Sequence, residues 1–155
     1  MKILVFSDTH GDAADMVAVI LDRRPDAVFF LGDVLRDLED VTYGFPELPV
    51  YAVPGNCDYA LPEPLSTTKL VSLGGVTFML CHGHTYGVKS GYSSAVSAAE
   101  RSGADVLLCG HTHVPHFDEY GPLQLLNPGS LRYTHTYGVI TVDHGVAHCN
   151  LNKIE

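Results

Sequence analysis

The feature that most constrains this chain is a repeated unit: a short apolar run that stops abruptly in glycine or in a side chain able to bind a metal. Residues 1–6 (Met-Lys-Ile-Leu-Val-Phe) stop at Ser7-Asp8-Thr9-His10-Gly11, and Ala27-Val28-Phe29-Phe30-Leu31 stops at Gly32-Asp33. Val50-Tyr51-Ala52-Val53 stops at Pro54-Gly55-Asn56-Cys57-Asp58, and Val76-Thr77-Phe78-Met79-Leu80 stops at Cys81-His82-Gly83-His84. Val106-Leu107-Leu108 stops at Cys109-Gly110-His111-Thr112-His113. Continuous apolar runs of this length are strands covered on both faces, which is the habit of parallel sheets. Helical segments lie between some of them. Asp12 is placed as an N-cap, with Met16, Val19, Ile20 and Leu21 as the apolar stripe and Arg23-Arg24-Pro25 as the stop. A second helix of small residues is expected from about Tyr92 to Arg101, closed by Gly103.

Two hairpins complete the pattern. Gly74-Gly75 joins Lys69–Leu73 to Val76–Phe78, and Asp143-His144-Gly145 joins Val139–Val142 to Val146–Cys149. Residues 59–67 read as an extended surface loop. The 155 residues suit one domain, 1–155, with room for a real core.

Composition excludes some partners. A net charge of −9 argues against a nucleic-acid or anionic-membrane surface, and no apolar run approaches the ~20 residues of a membrane span. Four cysteines at 57, 81, 109 and 149 form no C-x-x-C, and the chain opens on a strand without a signal peptide's basic and apolar regions. The expectation is a cytoplasmic protein with reduced thiols. Nine histidines beside carboxylates are a ligand supply for divalent cations.

Read alone, His111-Thr112-His113 is equally two loop residues or two ligands, since residues i and i+2 of an extended segment share a face. Five strand ends of the same kind shift that balance. If the strands are neighbours, Asp8, His10, Asp33, Asn56, His82, His111 and His113 converge on one rim, where open α/β sheets place their sites.

The ordered set Asp8-Thr9-His10, Gly32-Asp33, Gly55-Asn56-Cys57-Asp58, Cys81-His82-Gly83 and Gly110-His111-Thr112-His113 resembles the calcineurin-like metallophosphoesterases. The resemblance runs from residue 3 to about 130, includes Asn127-Pro128-Gly129-Ser130, and is greatest to the short, cap-less bacterial and archaeal phosphodiesterase branch, to whose fold the retromer scaffold subunit is related. It implies an α/β fold: a two-sheet β-sandwich flanked by helices in α-β-β-α layers. It also implies two divalent transition metals, one held by Asp8, His10, Asp33 and His113, the other by Asp33, Asn56, His82 and His111, with Asp33 bridging. Mixed imidazole and carboxylate ligands suit Mn²⁺, Fe²⁺, Zn²⁺ or Ni²⁺, with Mn²⁺ the first choice. Asp33, Asn56 and His82 are the implied catalytic residues. The implied reaction is hydrolysis of a small phosphodiester by a hydroxide bridging two ions roughly 3.5–4 Å apart.

Cys57 departs from the broader superfamily, which carries a histidine after the motif asparagine; the short branch commonly has Gly-Asn-Cys-Asp. A thiol with pKa near 8.5 is a poor general acid. Asp58 has two readings, orienting a ligand or capping a loop, and Arg132 has two, binding phosphate or forming a surface ion pair. His84 is read as a supporting or loop residue in preference to a phosphate contact. His116, His135, His144 and His148 are read as structural or exposed, and Cys81 and Cys109 as packed at strand ends. With no inserted cap the site is expected to be shallow and open. The rival functions are a non-catalytic metal-binding scaffold on the same fold and a metal-storage or sensing protein. A homo-oligomer is compatible with the sequence.

Overall fold

The structure is a computed structural model describing residues 1–58 and 65–155; most of the loop expected at 59–67 lies outside the described residues. Each expected apolar run forms a strand, and the ten strands are β1 (Lys2–Phe6), β2 (Ala27–Phe30), β3 (Val50–Ala52), β4 (Thr68–Leu73), β5 (Val76–Cys81), β6 (Val106–Leu108), β7 (His116–Tyr120), β8 (Leu123–Asn127), β9 (Thr136–Asp143) and β10 (Val146–Lys153) among the described residues. Among the described residues the α-helices are α1 (Ala13–Arg23), α2 (Leu38–Gly44) and α3 (Ser93–Arg101). Both expected helices and both hairpins form, the second hairpin with a tighter turn, since Asp143 pairs with Val146. The segments α2, β7 and β8 were not expected. They are short, and α2 buries only Val41, so its periodic signal is weak.

The five strands that carry the motifs are not neighbours in one sheet. They divide between a sheet ordered β10-β9-β1-β2-β3 and another ordered β4-β5-β6-β8-β7. Within each sheet the motif strands run parallel: β1 with β2, β2 with β3, and β5 with β6. Their carboxyl ends therefore share an edge within each sheet.

Alternation along the strands explains why the runs are apolar throughout. Ile3, Val5, Phe29 and Leu31 face Phe78, Leu80, Val106 and Leu108 in the core between the sheets. The intervening Leu4, Phe6, Val28 and Phe30 pack outward against Met16, Val19 and Ile20 of α1 and Val41 of α2. On the far side, Met79, Cys81, Leu107 and Cys109 pack against Ala95, Val96 and Ala99 of α3. A period of two on strands covered twice gives four layers, α-β-β-α. Leu21, expected in the α1 stripe, is 65% exposed, because the stripe through Met16, Val19 and Ile20 already fills the contact with the sheet.

Candidate metal centre

The site forms where the carboxyl ends of the two sheets' motif strands meet. Asp8, in the turn after β1, is completely buried. Its Oδ2 accepts from Ser7 Oγ (2.6 Å) and from the His111 amide (3.2 Å), which leaves Oδ1 to face the site. His113 Nε2 lies 3.0 Å from Oδ1 and His10 Nε2 lies 3.5 Å from it. Asp33 lies between this group and the next: its Oδ2 is 3.8 Å from His10 Nε2 and 3.4 Å from His82 Nε2. The Cys57 amide donates to Asp33 Oδ1 at 2.9 Å.

His82 is wholly buried, and its tautomer follows from its partners. Nδ1 lies 2.7 Å from the Leu31 carbonyl oxygen, which only accepts, so Nδ1 carries the hydrogen. In the neutral ring Nε2 is then a lone pair. Around it stand Asn56 Oδ1 (3.0 Å), His111 Nδ1 (3.2 Å), Asp33 Oδ2 (3.4 Å) and Asp8 Oδ1 (3.8 Å). Lone pairs converging on one point repel unless a proton or a cation sits among them. His10 Nε2 is buried and has no hydrogen-bond partner among the described residues. Ligand atoms of Asp8, His10 and His113, and of Asp8, Asp33 and His82, lie within 4.8 Å of one another, so these clusters can hold metal. A ligand histidine that donates its other nitrogen to a backbone carbonyl is the usual arrangement at metal sites.

Electrostatics follow the same geometry. Burial alone would raise the Asp33 pKa, but the His82 ring beside it, which favours the charged carboxylate when it is protonated, and the hydrogen bond from the Cys57 amide outweigh burial and hold the carboxyl below its usual range. Burial would lower the His82 pKa, but the Asp33 and Asp8 carboxylates raise it. Burial, then the neighbouring His82 and Lys89, push His111 down to about 4, so its ring is neutral at neutral pH.

The backbone is arranged for this convergence. Asp8 (φ 55°), His10 (φ 44°), Asp33 (φ 50°), His111 (φ 69°) and His113 (φ 61°) all adopt the left-handed region. Asp and His tolerate it better than most residues, yet it is sparsely populated and concentrates at functional sites. Two glycines make the close approach feasible. A Cβ on Gly55 would collide with Asp33 Oδ1, and one on Gly110 with Ser7 Oγ.

All seven expected ligands are thus brought together. Asp58 proves to be a loop cap that acts on the site through backbone: its carboxylate accepts from the amides of Asp33 (2.8 Å), Gly55 (2.9 Å) and Leu35 (2.9 Å). Arg132 faces Asp12 at 3.8 Å. His84 stands beside His82, ring centroids 5.4 Å apart, with Nδ1 buried and unpartnered among the described residues. His116 stacks on Tyr92, and Cys81 and Cys109 are buried at strand ends as expected.

Sequence reasoning gave no role to several supports. Ser130 Oγ donates to the Asp8 carbonyl (2.8 Å), and Asn127 Nδ2 donates to the Gly110 carbonyl (3.0 Å) and to Thr112 Oγ1 (3.0 Å). The Asn-Pro-Gly-Ser segment is therefore the brace that ties both sheets' site loops. Its matching motif was the available signal. Tyr133, over the rings of His10 and His113, and the Leu31 carbonyl carried none.

A two-sheet α-β-β-α sandwich whose strand ends gather carboxylates and histidines defines the metallophosphoesterase class. Residues 1–145 match the calcineurin-like phosphoesterase superfamily domain, and the chain belongs to that family. It is 32% identical over 154 residues to a probable metallophosphoesterase of Mycoplasma pneumoniae, covering 97% of this chain and 89% of that protein. It is 33% identical to phosphodiesterase YfcE of Escherichia coli, covering 84% of this chain and 79% of that one. Among solved structures, wild-type Vps29 of Entamoeba histolytica complexed with zinc aligns at a TM-score of 0.75 and 22% identity, over 98% of each chain; this likeness concerns the fold.

Proposed function

We propose that this protein is a metal-dependent phosphodiesterase of small phosphodiesters, with Asp8, His10, Asp33, Asn56, His82, His111 and His113 holding two divalent transition-metal ions, Mn²⁺ first among them. One observation carries the reading: His82 Nε2, the lone-pair nitrogen of the neutral ring whose Nδ1 donates to the Leu31 carbonyl, faces Asn56, His111, Asp33 and Asp8 oxygens and nitrogens within 3.8 Å, a gathering that a cation would satisfy. When bound, the ions supply an activated water and positive charge for the phosphoryl oxygens.

The chain's own residues do the rest. Asp33 stands between the His10 and His82 sides of the site, where its carboxylate would hold both ions. His82 is oriented by Leu31, and His111 stays neutral and able to ligate. Asn56, exposed at the rim, offers its amide hydrogens to a phosphoryl oxygen. The Cys57 thiol is held protonated by burial and by Asp33, and contributes little as an acid. A diester presents less negative charge than a monoester to a chain of net charge −9, and YfcE is named a phosphodiesterase. Four free thiols suit a reducing compartment, and we place the protein in the cytoplasm.

The experiment is a screen of bis(4-nitrophenyl) phosphate against 4-nitrophenyl phosphate with Mn²⁺, Ni²⁺, Zn²⁺ and Fe²⁺ added in turn. Diester hydrolysis is expected to exceed monoester hydrolysis with at least one metal. The second reading, a non-catalytic scaffold on the same fold, is left open by the likeness in fold to Vps29. It takes precedence if the metal-loaded protein hydrolyses neither compound.

A further inference from the structure

One aromatic side chain at the site has no place in the ligand set. Tyr133 lies against the rings of two expected ligands: 5.2 Å from His113, near parallel at 30°, and 5.4 Å from His10 at 43°. Its backbone is fixed to the same support as the site, because its amide donates to Ser130 Oγ (3.0 Å), which donates to the Asp8 carbonyl (2.8 Å). Yet the side chain is 60% exposed. A large aromatic ring held in place by a braced turn, with most of its surface open, is a preformed flat surface beside the reacting position. Val114, next to His113, is 61% exposed and adds a second exposed apolar side chain near the ligand histidines.

We propose that Tyr133 is a stacking platform for a nucleobase, so that the substrate is a small phosphodiester with a nucleoside on one side. The inference rests on the phosphodiesterase reading above. Because Tyr133 lies against both His10 and His113, its ring is within reach of an ester group on a phosphate bound at that side of the site. Every nucleobase offers a π-face to such a ring, and stacking of this kind tolerates any base. A long nucleic acid is disfavoured by the net charge of −9, which leaves diesters of mononucleotide size.

The test is calorimetric titration of the Mn²⁺-loaded protein with adenosine 5′-monophosphate, ribose 5-phosphate and inorganic phosphate. The nucleotide is expected to bind about tenfold tighter than ribose 5-phosphate. Tyr133→Phe should keep that preference and Tyr133→Leu should abolish it, with the affinity for inorganic phosphate the same in all three proteins. Equal binding of nucleotide and sugar phosphate by the wild type overturns the proposal, as does a preference that survives in Tyr133→Leu. A fall in phosphate affinity in Tyr133→Leu also overturns it, since the ring would then only prop the histidines. If the wild type binds none of the three, the phosphodiesterase reading fails and this one with it; phosphate binding without a base preference removes the platform alone.

Discussion

Asp33 is the residue on which both halves of the site depend, because one carboxylate reaches His10, His82 and the Cys57 amide. Asp33→Ala removes the group shared by both proposed ions and is expected to lower metal content from two per chain to one or none by elemental analysis. Full occupancy in that variant would refute the shared role. Cys57 tests a different point. Its thiol is exposed, and partial burial together with Asp33 raises its pKa, so it is protonated at neutral pH and poorly suited to donate. Low-pKa aryl oxides leave unaided, whereas alkoxides need the ~10²–10⁴-fold help a general acid gives. Cys57→Ala should therefore cost little in kcat on bis(4-nitrophenyl) phosphate. Cys57→His should raise kcat on an alkyl diester by up to about 10²-fold while leaving the aryl rate nearly unchanged. A large loss in Cys57→Ala at constant metal content would reveal a direct role for the thiol.

At the scale of elements, the site is a property of turns. Strands β1, β2, β5 and β6 end by changing abruptly from extended backbone to left-handed residues, and glycines let the turns touch. Gly32 sits at φ +100°, and a Cβ there would strike the backbone of Gly55. Gly110 has an ordinary backbone, yet a Cβ would still run into Ser7 and Asp8. Gly110→Ala must displace the Ser7 side chain, whose hydroxyl holds the buried Asp8 carboxylate, and is expected to cost about 1–3 kcal/mol in thermal unfolding and to weaken metal binding. Gly44→Ala is the control, since its Cβ meets nothing within 4 Å at the end of α2 and its φ is not positive. It should leave metal binding unchanged and stability equal or slightly higher. Equal behaviour of the two variants would show that the turn contacts carry no weight.

For the whole molecule, one core lies between the sheets and two lie beneath the helices, and Phe29 of one sheet packs edge-on against Phe78 of the other. Because β1, β2, β5 and β6 each contribute to the shared core and to an outer one, neither half should persist without the other. We therefore propose that residues 1–155 unfold as one domain, in a single calorimetric transition. Ions bound only by the folded chain add stability through mass action, about 2.7 kcal/mol at a hundredfold excess over Kd. Mn²⁺ should thus raise Tm by roughly 5–10 °C for a chain of this size, and a chelator should reverse the shift. Two separate transitions would refute the single domain; a metal-independent Tm would refute the coupling of the ions to folding.

Apolar runs such as Ile3–Phe6 and Phe78–Leu80 announced themselves as strands because burial on both faces removes the polar half of the pattern. The ends of those runs announced the seven candidate ligands that the fold gathers, since ligand chemistry is written in side-chain type and needs no knowledge of the partner. Short elements such as α2 and β7 were not legible, because each buries too little to leave a periodic trace. What only tertiary structure decided is how the motifs meet. A strand's sequence specifies which faces are buried but not which sheet it joins, so five motifs that could have lined one sheet are divided between two and converge across the sandwich. The supports were decided there too. The Leu31 carbonyl that sets the His82 tautomer and the Asp58 carboxylate that gathers three amides act through backbone atoms, which every residue possesses and no sequence pattern distinguishes.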